Sequence, residues 1–348
     1  MIPSLAVSSL FFTLALSAHS SYTLEDSYTG HDFYEQWKWE TFDDPTHGRV
    51  NYVDQTTAME KNLSYITPDN AFVMKADSTS KVPPGSRGRD SIRISSLKAY
   101  DRALFVADIS HMPVGCGTWP AFWTLSQKGP WPNGGEIDII EGVHGNTLNL
   151  ASLHTTPQCS MDKNACGDRA SLQTGHAIST DCNTAVNFNQ GCGVEFAKPN
   201  SYGKGFNQNN GGYYILEKGS PIRVWFLPRD DPKIKELFEC EDPSKTISTN
   251  DLPPVPDAIF PTKENCRYAS HFDAHAMVFD LTFCGDWAGA TFTSAGCGPS
   301  CLDFVDNNPE AFSEAYWAVN SVKVYTRDDD SASDSDTAQA LLTHGTDL

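Results

Sequence analysis

Short apolar or alternating runs recur along the chain, separated by clusters of Gly, Pro, Asn and Asp. The clearest are Phe72–Ala76, Ser91–Leu97, Leu104–Ile109, Glu136–Glu141, Leu148–His154, Tyr213–Leu216, Ile222–Leu227, Met277–Phe283 and Val319–Thr326. They are rich in β-branched and aromatic residues, and their length and spacing predict strands. The aromatic and acidic segment Tyr22–Gly48 reads as an N-terminal strand with loops packed onto the main body. Long helical periodicity is missing. Asp303–Ala315, with Pro309 and Glu310, reads as a short helix. Pro157–Gly212 and Pro228–Pro261 are polar and read as loop regions. Many short strands with turns between them predict an all-β sandwich of two antiparallel sheets.

One run breaks the pattern. In Glu136-Ile-Asp-Ile-Ile-Glu141 the isoleucines ask for a strand, yet three carboxylates lie among them. Side chains alternate along a strand, so Glu136 and Asp138 share one face and Ile137 and Ile139 the other. Glu141 has the wrong parity. A bulge at Ile139-Ile140 inserts one residue and brings Glu141 round to the face of the other two acids. Three acids on one strand face repel one another. They suit a solvated acidic edge, a calcium site of oxygen ligands, or a carboxylate set for nucleophilic and general acid work.

Composition bounds these readings. The 348 residues, 39% of them hydrophobic, suffice for a sizeable core. No internal repeat or separate second domain is visible. Residues 1–20 read as a secretory signal with an apolar run around Leu10–Leu16. Residues 21–326 form the body. From Arg327 the chain turns to Asp, Ser, Ala and Thr, an acidic tail over 327–348 too polar to bury a core. Ten cysteines after a signal imply up to five disulfides and a secreted, extracellular protein. The close pair Cys297 and Cys301 lacks the second pair that a zinc site needs. Asn62-Leu-Ser64 is a glycosylation sequon. The net charge is −19; six Asp and one Arg in 327–348 contribute −5 of it, leaving −14 on the rest. Such a surface disfavours nucleic acid and anionic polymers and leaves neutral partners. No segment after the leader is long and apolar enough for a membrane helix, and the chain reads as a monomer.

Tryptophans crowd the acids: Trp119, Trp123 and Trp131, with Trp225 and Trp287 further on. An indole beside hydrogen-bonding groups matches a sugar ring, which has an apolar face and a polar rim. Trp131 and Trp287 sit beside Pro, Gly and Asp in turn-like contexts, where core residues are unusual. Trp119, Trp123, Asn133, His154 and Arg93 complete the candidate binding set. Each has a plain structural alternative: core packing for the tryptophans, a turn role for Asn133, a hydrogen-bonded histidine for His154, and pairing with an acid for Arg93.

The run Gly134-Gly-Glu-Ile-Asp-Ile-Ile-Glu-Gly142 resembles the E-x-D-x-x-E signature of glycoside hydrolase family 16. Asp44–Asp54, Gly115–Pro120, Trp131–Gly135, Leu153–Thr155 and Thr282–Gly289 resemble its fungal laminarinase branch. The resemblance covers Tyr22–Tyr325. It implies a concanavalin-like β-jelly roll with a concave substrate cleft. It also implies a secreted endo-1,3(4)-β-glucanase that retains anomeric configuration, takes a neutral β-glucan and needs no cofactor or metal for the chemistry. Carried onto this chain, Glu136 is the nucleophile, Glu141 the acid/base and Asp138 an assisting residue between them. The mechanism expects an ionised Glu136 whose charge raises the pKa of Glu141. Cys166 and Cys240 stand outside the family pattern. The alternatives are a transglycosylase on the same site, a glucan-binding protein without catalysis, and a hydrolase of sulfated galactan, which the acidic surface opposes.

Overall fold

The computed structural model describes residues 21–161, 172–238, 246–260, 262 and 264–327. Two large antiparallel sheets face each other in a jelly roll. The acids lie on an eight-stranded sheet. Its spatial order is His176–Ser179, Cys192–Glu195, Leu150–His154, Glu136–Glu141, Thr118–Ser126, His275–Phe283, Arg93–Ser96, Trp37–Trp39. The opposing nine-stranded sheet runs Ile247–Ser248, Ser21–Tyr28, Tyr316–Thr326, Ala103–His111, Gly212–Lys218, Ile222–Pro228, Ala258–Phe260. Phe72–Lys75 and Ser64–Ile66 branch off Tyr316–Thr326.

The core fills the space between the sheets. From the acid-bearing sheet come Phe122, Ile137, Ile139, Ile140 and Phe279; from the other come Phe105, Tyr214, Phe226 and Trp317. Phe279 stacks on Phe122 at 4.2 Å and meets Trp317 edge-on at 5.4 Å, so one aromatic contact bridges the two layers. All three isoleucines of the acid strand are fully buried, which is what orients its acids outward.

Several expectations are corrected. Thr118–Ser126 was not among the expected strands, yet it is the central neighbour of the acid strand. The polar stretch Pro157–Gly212 contributes two strands, His176–Ser179 and Cys192–Glu195, at the sheet's edge. Part of Pro228–Pro261 is a cover rather than a loop. Helix Pro232–Leu237, with Ile247 and Leu252, seals the outer face of the second sheet over Leu104, Val106, Ile215 and Trp225. Trp225 is therefore a core residue, and its indole N–H donates to the Pro253 carbonyl at 2.9 Å. The expected helix over Asp303–Ala315 is two pieces, Cys301–Asn307 and a 3-10 turn Pro309–Phe312. The ring of Pro309 has no N–H to continue the first piece.

Four disulfides close among the described residues: Cys116–Cys297, Cys159–Cys266, Cys182–Cys192 and Cys284–Cys301. Cys297 and Cys301 thus bond to different partners, which removes the zinc alternative for that pair. Cys166, Cys240, the leader over 1–20 and the tail beyond 327 lie outside the described residues. Among the described residues no helix is long and apolar enough to cross a membrane.

Ile140 is a fully buried part of the core under the acids. Ile140→Ala is expected to lower stability by about 2–5 kcal/mol, read from urea unfolding.

Candidate active site

The bulge is present. Against Thr118–Ser126, Asp138 pairs with Trp123 and Ile140 with Phe122, so Ile139 has no partner of its own. Against Leu150–His154, Asp138 pairs with Ser152 and Glu141 with Leu150, two residues opposing Ala151. The extra residue restores parity. Glu136, Asp138 and Glu141 share one face while Ile137, Ile139 and Ile140 reach the core. The strand is launched from a tight turn, where Gly134 and Gly135 have φ near +77° and +80°. A Cβ on Gly135 would sit 2.6 Å from the His271 carbonyl oxygen, so both conformation and space require glycine.

Indoles hold the two outer acids. Trp131 Nε1–H donates to Glu136 Oε2 at 2.9 Å, and Trp119 Nε1–H donates to Glu141 Oε1 at 2.9 Å. Trp119 meets Trp287 edge-on at 5.7 Å. Trp131 is 45% exposed, large for an indole, while Trp119 and Trp287 are partly buried. Trp123, opposite Asp138, packs with Ala121 and Val278 into a small apolar patch on the acid-bearing face. Asn133 is exposed in the turn, and its backbone N–H donates to the Pro130 carbonyl.

His154 is directly opposite Glu136 on the neighbouring strand. Its Nδ1 is 3.0 Å from Asn189 Oδ1, which fixes the ring hydrogen there. Nε2 then turns its lone pair toward Asp138 Oδ2, 3.4 Å away. That carboxylate oxygen is buried and has no hydrogen-bond partner. Two facing acceptors are reconciled by a proton on Asp138. Burial pushes the Asp138 pKa well above the usual carboxylate range, and the charges of Glu136, Glu141 and Asp280 push it further. Glu136, Asp138 and His154 each bring one ligand-capable atom within 4.8 Å of the others. A set containing an imidazole nitrogen is not the all-oxygen shell that calcium takes.

Burial raises Glu136 to about 7, with the Trp131 hydrogen bond and Arg93 opposing it. Burial also raises Glu141 to about 7, opposed by His154 and the Trp119 bond and assisted by the charges of Glu136 and Asp280. The expected lift of Glu141 by the Glu136 charge is present, but it is a smaller cause than burial. Burial is the first cause for both acids, and it raises them alike.

A fourth buried acid went unnoticed in the sequence. Asp280 accepts from Trp123 Nε1–H at 3.1 Å and from the Tyr52 hydroxyl at 3.3 Å, and burial raises it to about 7. Arg93 faces it at 3.7 Å and Glu40 at 2.9 Å. Its guanidinium also lies 4.9 Å from the ring centres of both Phe42 and Trp123. Its cation therefore balances buried acids, the structural alternative weighed for it. The signal for Asp280 was an acid inside an apolar strand run, Met277–Phe283.

Comparisons with known proteins place the sheet-bearing body in one family. Residues 37–325 match the family model described as an XgeA-like catalytic GH16 domain. A probable glycosidase from Schizosaccharomyces pombe is 41% identical over 88% of this chain and 69% of its own length. A GH16 laminarinase from Phanerochaete chrysosporium, solved with two β-glucans in donor and acceptor sites, is 47% identical with a TM-score of 0.81. The match covers 88% of this chain and all of that one. An elongating GH family 16 β-1,3-glucosyltransferase is 36% identical with a TM-score of 0.76, over 88% of this chain and all of that one. A probable endo-1,3(4)-β-glucanase from Aspergillus fumigatus is 37% identical over 97% of this chain but 51% of its own length, so this chain spans about half of that relative.

The raised acids make a stability prediction. A carboxyl whose folded pKa lies above its unfolded value binds more protons when folded, so stability falls as pH rises between the two. For Glu141 that window runs from 4.5 to about 7. Glu141→Gln is expected to unfold at higher temperature than the parent at pH 8, and at the same temperature at pH 4. Equal melting temperatures at pH 8 would remove the burial penalty assigned to Glu141.

Proposed function

Because the chain belongs to glycoside hydrolase family 16, we propose that it is a secreted endo-acting β-glucanase. It would hydrolyse β-1,3 linkages, and mixed β-1,3/1,4 glucans, with retention of configuration. The bulged strand carries this reading, since it sets three acids on one face with an indole N–H on each outer one. The laminarinase and glucanase names of the relatives support the substrate class.

In this reading Glu136 is ionised in the substrate complex, and its oxygen attacks the anomeric carbon. The bond to the leaving oxygen breaks, and the Glu141 proton moves to that oxygen. Glu141, now a base, takes a proton from water. The water oxygen attacks the same carbon and releases Glu136. Two inversions give retention. Asp138, protonated against His154, adds no second charge beside Glu136, so the nucleophile ionises more readily. The Trp131 indole N–H favours the charged form of Glu136 for the same reason. The aromatic faces of Trp131, Trp119 and Trp287, with Trp123, Asn133, His154 and Arg93 around them, would line the sugar path. The acidic surface suits a neutral polymer.

Residues 21–326 would form the catalytic unit and act as a monomer, with 1–20 a removed leader. Four closed disulfides support an oxidising, extracellular setting. Asn62 is exposed just after helix Gln55–Glu60, which suits a glycan. The likeness to an elongating glucosyltransferase favours a second reading, in which another sugar replaces water in the second step.

Laminarin, lichenan and carboxymethylcellulose digested side by side should release reducing sugar from laminarin first. Proton NMR should show the β-anomer before mutarotation. Chains longer than the substrate, by mass spectrometry, would establish the transfer reading instead. Glu136→Gln should abolish hydrolysis and leave laminarin binding intact by calorimetry; wild-type turnover in that variant would sink the assignment.

A further inference from the structure

The bulge that turns Glu141 onto the site face also breaks the backbone ladder toward Leu150–His154, where two residues oppose one. Backbone groups freed in this way need other partners in a buried place. One side chain supplies them. Asn149, fully buried, donates its amide N–H to the Ile139 carbonyl at 2.8 Å, and its Oδ1 accepts the Glu141 backbone N–H at 3.2 Å. The peptide groups fix which way the amide points, because only its nitrogen can face a carbonyl and only its oxygen an N–H.

Asn149 is itself anchored through both of its backbone polar groups. Its N–H donates to Ser201 Oγ at 3.1 Å, and its carbonyl accepts from the Phe196 N–H at 2.8 Å. The next residue after Glu141 is equally confined. A Cβ on Gly142 would lie 2.7 Å from the Tyr202 ring, so the chain passes flat against that buried tyrosine. The loop from Phe196 to Tyr202 thus forms a base for this turn, and Asn149 links it to the Glu141 peptide.

Resting on the glucanase reading, we propose that Asn149 is the positioning residue for the acid/base. It spans the bulge, replaces the missing ladder bonds and fixes the angle at which the Glu141 carboxyl leaves the strand. It touches no substrate. Its loss lets the peptide at Glu141 relax, and a displacement near 1 Å at such a group costs on the order of 10²-fold in rate.

The test separates this role from general support of the fold. Asn149→Ala should lower kcat on laminarin on the order of 10²-fold with KM little changed. The loss should be much smaller on a dinitrophenyl β-glucoside oligomer with azide present. Its leaving group needs no proton, and azide needs no base to attack the glycosyl enzyme. Asn149→Asp gives a second reading and covers a failure of the alanine variant to fold. Its new carboxyl, when protonated, can donate to the Ile139 carbonyl as the amide does; when ionised it repels that carbonyl. The activity of Asn149→Asp relative to the parent should therefore rise as pH falls, whereas that of Asn149→Ala should not. Hydrogen exchange at the Glu141 amide, which needs no activity, should be faster in Asn149→Ala, where its acceptor is gone. Equal losses on laminarin and on the dinitrophenyl substrate, or unchanged exchange at Glu141, would overturn the proposal. An inert parent on laminarin would instead remove the glucanase reading and leave the exchange result to judge the clamp.

Discussion

Ile139 has no partner on Thr118–Ser126, and the consequences of that one unpaired residue spread through the molecule. A regular strand with this sequence would aim Glu141 into the space between the sheets and Ile140 into the site. Burying an unpaired carboxylate there would cost several kcal/mol, or leave it neutral and useless as a proton shuttle. The extra residue lets three isoleucines anchor the strand while all three acids face outward. Core and site are thus specified by the same six residues. Each restricts the other: the isoleucines fix the register that the acids need, and the acids forbid the register that a plain strand would choose.

The second constraint is electrostatic. Glu136, Asp138, Glu141 and Asp280 crowd one sheet face, and burial raises all four. The near cation is Arg93, itself shared between Glu40 and Asp280. The site is therefore short of positive charge. Burial, with so little positive charge to offset it, keeps protons on these carboxyls near neutral pH. Three indoles serve as donors instead of further cations: Trp131 on Glu136, Trp119 on Glu141 and Trp123 on Asp280. An indole N–H favours the ionised acid without adding a full charge.

Much of the fold was legible because its core strands carry β-branched and aromatic runs between Gly- and Pro-rich turns. The parity conflict within Glu136–Glu141 was enough to require the bulge, and the roles expected of the acids came from the resemblance to a known family. Thr118–Ser126 escaped notice because both of its faces are covered. Phe122 and Thr124 point into the core, while Ala121 and Trp123 form a patch with Val278 on the other side, so no period of two survives. Asp280 was hidden for a similar reason: every residue of His275–Phe283 is buried. The edge strands of Pro157–Gly212 gave no apolar signal, since disulfides hold part of what a hydrophobic face would otherwise hold.

The sequence by itself determined the all-β class, the strand that bears the acids, its bulge and the family to which the site belongs. These are local properties, encoded by side-chain period and by neighbours within a few residues. Tertiary structure decided the rest. It set Asn189 behind His154, closed Arg93 onto Asp280 and Glu40, and fixed which cysteines join. It also raised Glu136 and Glu141 to a similar level, where the sequence suggested a clear division. Each of those outcomes depends on groups far apart in the chain, on the burial they share and on the charges that face one another only after the sheets have closed. Even the bulge, so plain in Glu136–Glu141, owes its fixed geometry to Asn149 and to the loop from Phe196 to Tyr202, which no local pattern connects to it.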